Sequence, residues 1–126
     1  MKWVSQNTPM DSQFMVFTKE IAPGMAKANE WFPVVAKRKS LLAAFGAEWL
    51  DAGKFDQIVL NWCDMMVCRE KSSACIEGVA LEKDLDFSHI YFSKNCCVEL
   101  IASLKESETY LSIYDKWGIH VFERIK

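Results

Sequence analysis

The sequence predicts an α+β fold, with a helical N-terminal half packed on a small antiparallel sheet that includes a C-terminal β-hairpin. Three observations predict it. The stretch FDQIVLNWCDMMV, Phe55 to Val67, places large apolar residues at Phe55, Ile58, Val59, Trp62, Cys63, Met66 and Val67, the spacing of a helix with one broad buried face. At the C-terminus, TYLSIY and IHVFERI flank Asp115-Lys116-Trp117-Gly118, two β-rich runs around a turn whose glycine suits positive φ. Pro and Gly punctuate the chain before residue 55 in a way that separates helices. An all-helical bundle with an appended hairpin is the competing architecture. The 126 residues suffice for one domain, residues 1–126, with a core of its own.

Residues 1–7 read as a tail or an edge strand. Thr8-Pro9-Met10-Asp11 reads as a helix start, with Thr8 as cap and Pro9 at the first helical position. Met10, Phe14, Phe17 and Ile21 form an apolar seam, and Pro23-Gly24 would end this helix. Residues 25–32 suggest a short helical turn. Pro33 then opens a second helix, lined by Val34, Leu41, Leu42, Phe45, Trp49 and Leu50, with Gly53 at its C-terminal cap. The three-residue link to the core helix implies an αα-hairpin. Beyond Val67, residues 68–73 end the core helix. ACIEGVAL (residues 74–81) reads as a short strand or a loop, residues 82–86 as a turn, and FSHIYF (residues 87–92) as a short strand. Ser93 would cap a further helix with the face Cys96, Cys97, Leu100, Ile101 and Leu104.

Hydrophobic residues make up 51% of the chain and charged ones 25%, which is too apolar for disorder. The net charge is −2, and the one basic run, Lys37-Arg38-Lys39, reads as a solvated helix face. The basic stripe of a duplex-binding protein is lacking, so nucleic acid is not expected as a partner. Charge is asymmetric: residues 1–54 carry a net +2 and residues 55–126 a net −4. An acidic half favours a basic protein partner, such as a toxin or nuclease surface. After Met1-Lys2 the apolar run is only Trp3-Val4, which gives no secretory signal. No stretch has the length to span a bilayer, so no membrane partner is expected. The expected location is cytoplasmic, with the five cysteines reduced.

Four kinds of chemistry bear on these residue types. Cys63, Cys68, Cys75, Cys96 and Cys97 with His89 and His120 are zinc-type residues, but no CxxC or HxxxH corner brings a local pair together. They read as structural cysteines, and no metal or cofactor is expected. Cys96 and Cys97 lie near a predicted helix start, where a thiolate is favoured, and His120 can approach from the hairpin as a catalytic partner. Nothing in the sequence fixes that geometry. Glu82, Asp84 and Asp86, interleaved with Lys83, read as a solvated turn. GxGxxG, GxxxxGK[ST] and GxSxG are all absent. No catalytic residue is therefore assigned, and a non-enzyme is the expectation.

Aromatic residues remain. Trp117 at the hairpin tip is either a partner anchor or a flap over the sheet edge. The function expected is that of a small cytosolic protein-binding module. It would be of the immunity or inhibitor type carried by phages and mobile elements, docking on a toxin or host factor and neutralising it. The contact residues expected are Tyr110, Tyr114, Trp117 and His120, with Asp84, Asp86 and Asp115 supplying charge. Two alternatives are a small-molecule-binding domain or small enzyme with an aromatic-lined pocket, and a structural subunit that forms a homodimer through the hairpin edge.

Overall fold

The structure, a computed structural model, describes residues 1–20, 27–42 and 52–125. Among these residues the fold is α+β, with five α-helices and a five-stranded mixed sheet. The helices are α1 (Lys2–Asn7), α2 (Lys27–Ala36), α3 (Ala52–Met66), α4 (Ser73–Lys83) and α5 (Val98–Glu106). The strands are β1 (Gln13–Phe17), β2 (Lys39–Ser40), β3 (His89–Phe92), β4 (Tyr110–Lys116) and β5 (Ile119–Arg124). Strand order is β2-β1-β3-β5-β4. β1 runs parallel to β2 and to β3, whereas β5 runs antiparallel to both β3 and β4. The hairpin half of the sheet is antiparallel as expected, and the β1 half is not.

The central strands β1 and β3 are buried on both faces, whereas the edge strand β4 is largely exposed. Successive residues of a strand point to opposite sides, and the two cores follow that alternation. Phe14, Val16, Tyr91 and Val121 pack with Val4, Phe32 and Ala36 of α1 and α2. Met15, Phe17, Ile90, Phe92 and Phe122 pack with Trp62 and Met65 of α3, Ile76 of α4 and Leu100 and Leu104 of α5. Such strands carry continuous apolar runs, and QFMVF and HIYF are runs of this kind. This overturns the helix expected from Thr8 onward. Phe14 and Phe17 sit on opposite faces of β1, so their spacing is not a helical seam.

Thr8 closes α1 instead of opening a helix. Its hydroxyl donates to the Val4 carbonyl at 2.7 Å. Arg38, expected in solvent, is buried against this helix end. Its guanidinium donates to Thr8 Oγ1, the Thr8 carbonyl and the Ser5 carbonyl at 3.1, 2.7 and 3.1 Å. A guanidinium there satisfies terminal carbonyls and complements the helix dipole. Pro33 lies inside α2, where it removes one helical hydrogen bond, and does not start a helix. Of the expected second helix, Lys39–Ser40 form β2 instead, and Ala52-Gly53-Lys54, expected as its glycine cap and the link of an αα-hairpin, are the first residues of α3; its residues 43–51 lie outside the described residues.

The core helix is present as α3, rotated from its expected face. Asn61, Trp62, Met65 and Met66 are buried, whereas Cys63 is exposed, and so is Val67 in the 3-10 turn that follows. Asn61 is buried because its side-chain oxygen accepts from Gln57 Nε2 at 2.8 Å, one turn away. Residues 74–81, expected as strand or loop, belong to helix α4. Only Ile76 and Ala80 of α4 are fully buried, so its pattern carries little periodicity. No helix among the described residues is long and apolar enough to cross a membrane.

Not all the cysteines are free thiols as expected: Cys68 pairs with Cys75. The sulfurs of the adjacent Cys96 and Cys97 face each other. Cys63 is free and exposed.

Candidate functional site

The two crossovers pass over opposite faces of the sheet: α2 leads from β1 to β2 on one side of β1, and α3 and α4 lead from β2 across to β3 on the other. Where crossovers diverge in this way, a crevice opens at the carboxyl ends of the parallel strands, and ligands bind there in open sheets. β1 and β3 end together, with the Ser93 amide donating to the Phe17 carbonyl at 3.0 Å. The segment that follows, Lys94-Asn95-Cys96-Cys97, leads straight into α5, whose N-cap is Cys97.

Two clefts flank this segment, and Asn95, Cys96 and Val98 are shared between them. The larger, of about 640 Å³, is lined by Lys19, Arg69, Glu70, Cys97 and Glu99 among others. Arg69 fixes its wall by donating to the Thr18 and Glu20 carbonyls at 2.9 and 2.7 Å, which ties the end of β1 to the 3-10 turn. The smaller cleft is lined by Ile101, Lys105, Gly118 and His120. The register Phe92↔His120 explains the presence of the histidine, since it stands opposite the last residue of β3. His120 Nδ1 lies 3.3 Å from Asp115 Oδ1, and Lys105 Nζ lies 3.2 Å from Asp115 Oδ2. Burial pushes the His120 pKa down; Asp115 raises it and Lys105 lowers it further.

The hairpin tip projects beside the smaller cleft. Trp117 and Gly118 form its two-residue loop, with φ of +60° and +78°. Positive φ at both central positions is the signature of a type I′ turn, which favours Asn-Gly. A β-carbon on Gly118 would come within 3.2 Å of Lys94 Cγ, so the tip rests on the Lys94 stem. Trp117 itself is 84% exposed and does not fold back over the sheet. Its neighbours Lys94, Lys105 and Lys116 are cationic and exposed, and Asp115 stands among them.

The seven residues expected to contact a partner divide between the two ends of the sheet. Trp117, Asp115 and His120 gather at the tip. Tyr114 is half-buried, its ring 4.9 Å from that of Trp3. Tyr110, Asp84 and Asp86 lie at the far end of β4, roughly 20 Å away along a seven-residue strand. Tyr110 is not a surface residue. It is 5% exposed and its hydroxyl donates to Glu77 Oε1. Arg124 binds Glu77 Oε2 at 2.8 Å and stacks on Phe87 with its guanidinium carbon 4.5 Å from the ring centre. Asp84 and Asp86 line a shallow cleft beside this network. Asp84 takes the left-handed conformation that ends α4.

Sequence reasoning missed Lys19 and Arg69, because only the parallel pairing of β1 with β3 brings them to one cleft. It also missed an exposed stripe on α2, Trp31, Val34 and Val35, whose i, i+3, i+4 spacing was legible. Among the described residues no cluster of three or more metal-type side chains occurs. No family model matches the sequence, no curated protein is similar to it, and no solved structure matches its fold.

Proposed function

We propose that this chain is a non-enzymatic protein-binding module that docks on its partner through the hairpin tip. One observation carries this reading. Trp117 occupies a left-handed turn position that disfavours bulky side chains, and its ring is almost wholly in solvent. A side chain 84% exposed adds little to the core. Strained and exposed placements of this kind point to function, and tryptophan is enriched at the energetic centres of interfaces. The cations around the tip favour a partner with an acidic rim. The basic partner suggested by composition would instead meet Asp84 and Asp86, at the other end of the sheet. An immunity-type or inhibitor-type protein from a mobile element, acting in the cytoplasm, is the specific form of this proposal. In a reducing cytoplasm Cys68 and Cys75 would stand as a dithiol.

The test is native mass spectrometry of the protein from its own lysate, followed by affinity measurement with variants. The expected result is a complex with a second polypeptide that Trp117→Ala weakens about thirtyfold, as loss of an interface anchor does. Retained affinity in Trp117→Ala with loss in Trp31→Ala would move the site to α2. Multiples of the chain's own mass would favour the homodimer. Against self-pairing, β4 carries a register shift between Ser112 and Tyr114 and the charges of Asp115 and Lys116, both devices that protect an edge strand. The small-molecule alternative is supported by the two clefts that meet at Cys96.

A further inference from the structure

The smaller cleft is a groove between α5 and the hairpin. Val98, Ile101, Ala102 and Lys105 line one side, the i, i+3, i+4, i+7 positions that share one face of a helix. Gly118 of the turn and His120 of β5 line the other. Ile101 is buried, but Ala102 is exposed and Val98 is 79% exposed. Trp117 precedes Gly118 at the lip of the groove. Among the described residues, four large apolar side chains are more than three-quarters exposed, and Trp117 and Val98 are two of them. Exposed apolar residues scattered singly need no explanation, but a pair about one concave site marks a contact surface.

The charge around the groove opposes that of the chain. The chain carries a net −2, whereas the groove is surrounded by Lys94, Lys105 and Lys116, with Asp115 among them. Glu99 lines the larger cleft instead. Glu106 is one position from Lys105, and adjacent residues of a helix do not face each other. Lys105 Nζ lies 3.2 Å from Asp115 Oδ2, with both side chains almost half exposed. An exposed pair of this kind contributes little, so the ammonium group is readily handed to a carboxylate of a ligand.

We propose, on the basis of docking at the hairpin tip, that this groove receives a short acidic segment of the protein partner carrying one large apolar side chain. The apolar side chain fills the groove against Val98, Ile101 and Ala102, and the Trp117 ring closes over it. Flanking carboxylates meet Lys94, Lys105 and Lys116. The groove volume, about 390 Å³, stands at the low end of the range for small-molecule sites, about 300–1,000 Å³, which suits a side chain of a peptide. A lipid surface fits less well, because the apolar wall lies inside a concavity and an anionic headgroup layer repels Asp115 at the tip.

The experiment selects phage-displayed random peptides on the immobilised full-length chain and measures the synthesised peptides by fluorescence anisotropy. The selected peptides are expected to place Asp or Glu beside a Leu, Ile, Phe or Trp. They should bind about tenfold more weakly at physiological than at low ionic strength. Lys94→Glu combined with Lys116→Glu should weaken them at least about tenfold, and Val98→Glu by a similar factor. Circular dichroism checks each fold, and should Val98→Glu lose it, Ala102→Glu takes its place. A selection that yields no peptide, peptides without acidic residues, or acidic peptides that ignore the lysine variants overturns the proposal. Peptides without acidic residues that still lose about thirtyfold in Trp117→Ala leave docking at the tip standing and remove only this partner chemistry. Acidic peptides that need Val98 and the lysines but are indifferent to Trp117→Ala keep the groove and remove the Trp117 anchor. Trp117-dependent sedimentation with vesicles of phosphatidylcholine and phosphatidylserine, where no peptide is selected, assigns the tip to a membrane and overturns the proposal.

Discussion

Trp117 and Gly118 both take positive φ at the hairpin tip, and the two residues are not equal there. Glycine pays no steric penalty for that conformation, whereas an L-residue with a side chain does. Trp117→Asn should therefore stabilise the protein by about 0.5–1 kcal/mol, because asparagine is at ease in the left-handed region. Trp117→Ala, at an 84% exposed site, should change stability by less than about 0.5 kcal/mol. Gly118→Ala should cost about 1–2 kcal/mol, since it meets both the strain of φ and the Lys94 side chain. Urea unfolding of the three variants reads these differences. A loss of more than about 1 kcal/mol in Trp117→Ala would mean that the ring supports the fold, and would remove the basis for the docking site. At this scale much was legible. The glycine announced its φ, and the tip was a candidate for contact from its position alone. The burial of Tyr110 was not legible, because its partner Glu77 is thirty-three residues away, and a local pattern carries no sign of such a pairing.

Elements were legible where one face alone is buried, and obscure where both faces are. The hairpin of β4 and β5 declared itself through its turn, and α3 through its repeat of apolar residues. β1 is apolar at every residue after Gln13, and such a run reads equally as a buried helix or a buried strand. α4 failed in the opposite way, showing too few buried positions to reveal a period. It is nonetheless fastened to the sheet by Glu77, which accepts from Tyr110 and pairs with Arg124. Glu77→Ala strands a buried hydroxyl and leaves Arg124 without its carboxylate, so a loss of about 1–3 kcal/mol is expected. Adding Tyr110→Phe should recover part of it, because the stranded hydroxyl goes with the substitution. Chemical denaturation of the single and double variants gives the coupling directly. If the double variant loses the full sum of the single effects, the network is not a unit and α4 is held by packing alone.

For the whole molecule, the mixed sheet between two helical layers follows from which strands are apolar on both sides. The parallel pairing of β1 and β3 does not, because it depends on crossovers through helices whose paths leave no local mark on the sequence. That pairing brings Lys19, Arg69 and the two adjacent cysteines to one end, and so the candidate cleft was invisible while the tip was not. It also sets how the molecule responds to acid. The chain has two histidines, and burial lowers the pKa of both. His89 lies within the sheet, its ring stacked on Phe14 at 4.9 Å and its Nδ1 2.8 Å from Ser88 Oγ. Glu123 raises its pKa and Arg38 lowers it, both by less than burial does. An unfolded histidine titrates near about 6.5. In the folded chain each holds its proton less readily, so the unfolded state binds more protons as pH falls through that value. The histidine contribution to stability is therefore complete above about pH 6.5 and is lost as pH falls toward the lowered folded values. The urea midpoint should drop between about pH 7.5 and 5.5, a window in which carboxylates stay ionised. His89→Gln should flatten most of that slope, since His120 is less enclosed and has Asp115 beside it to offset a positive charge. If the slope survives His89→Gln and vanishes in His120→Gln, the tip and not the sheet centre is the acid-sensitive part of the fold, and a partner docked on Trp117 would be released by the same titration.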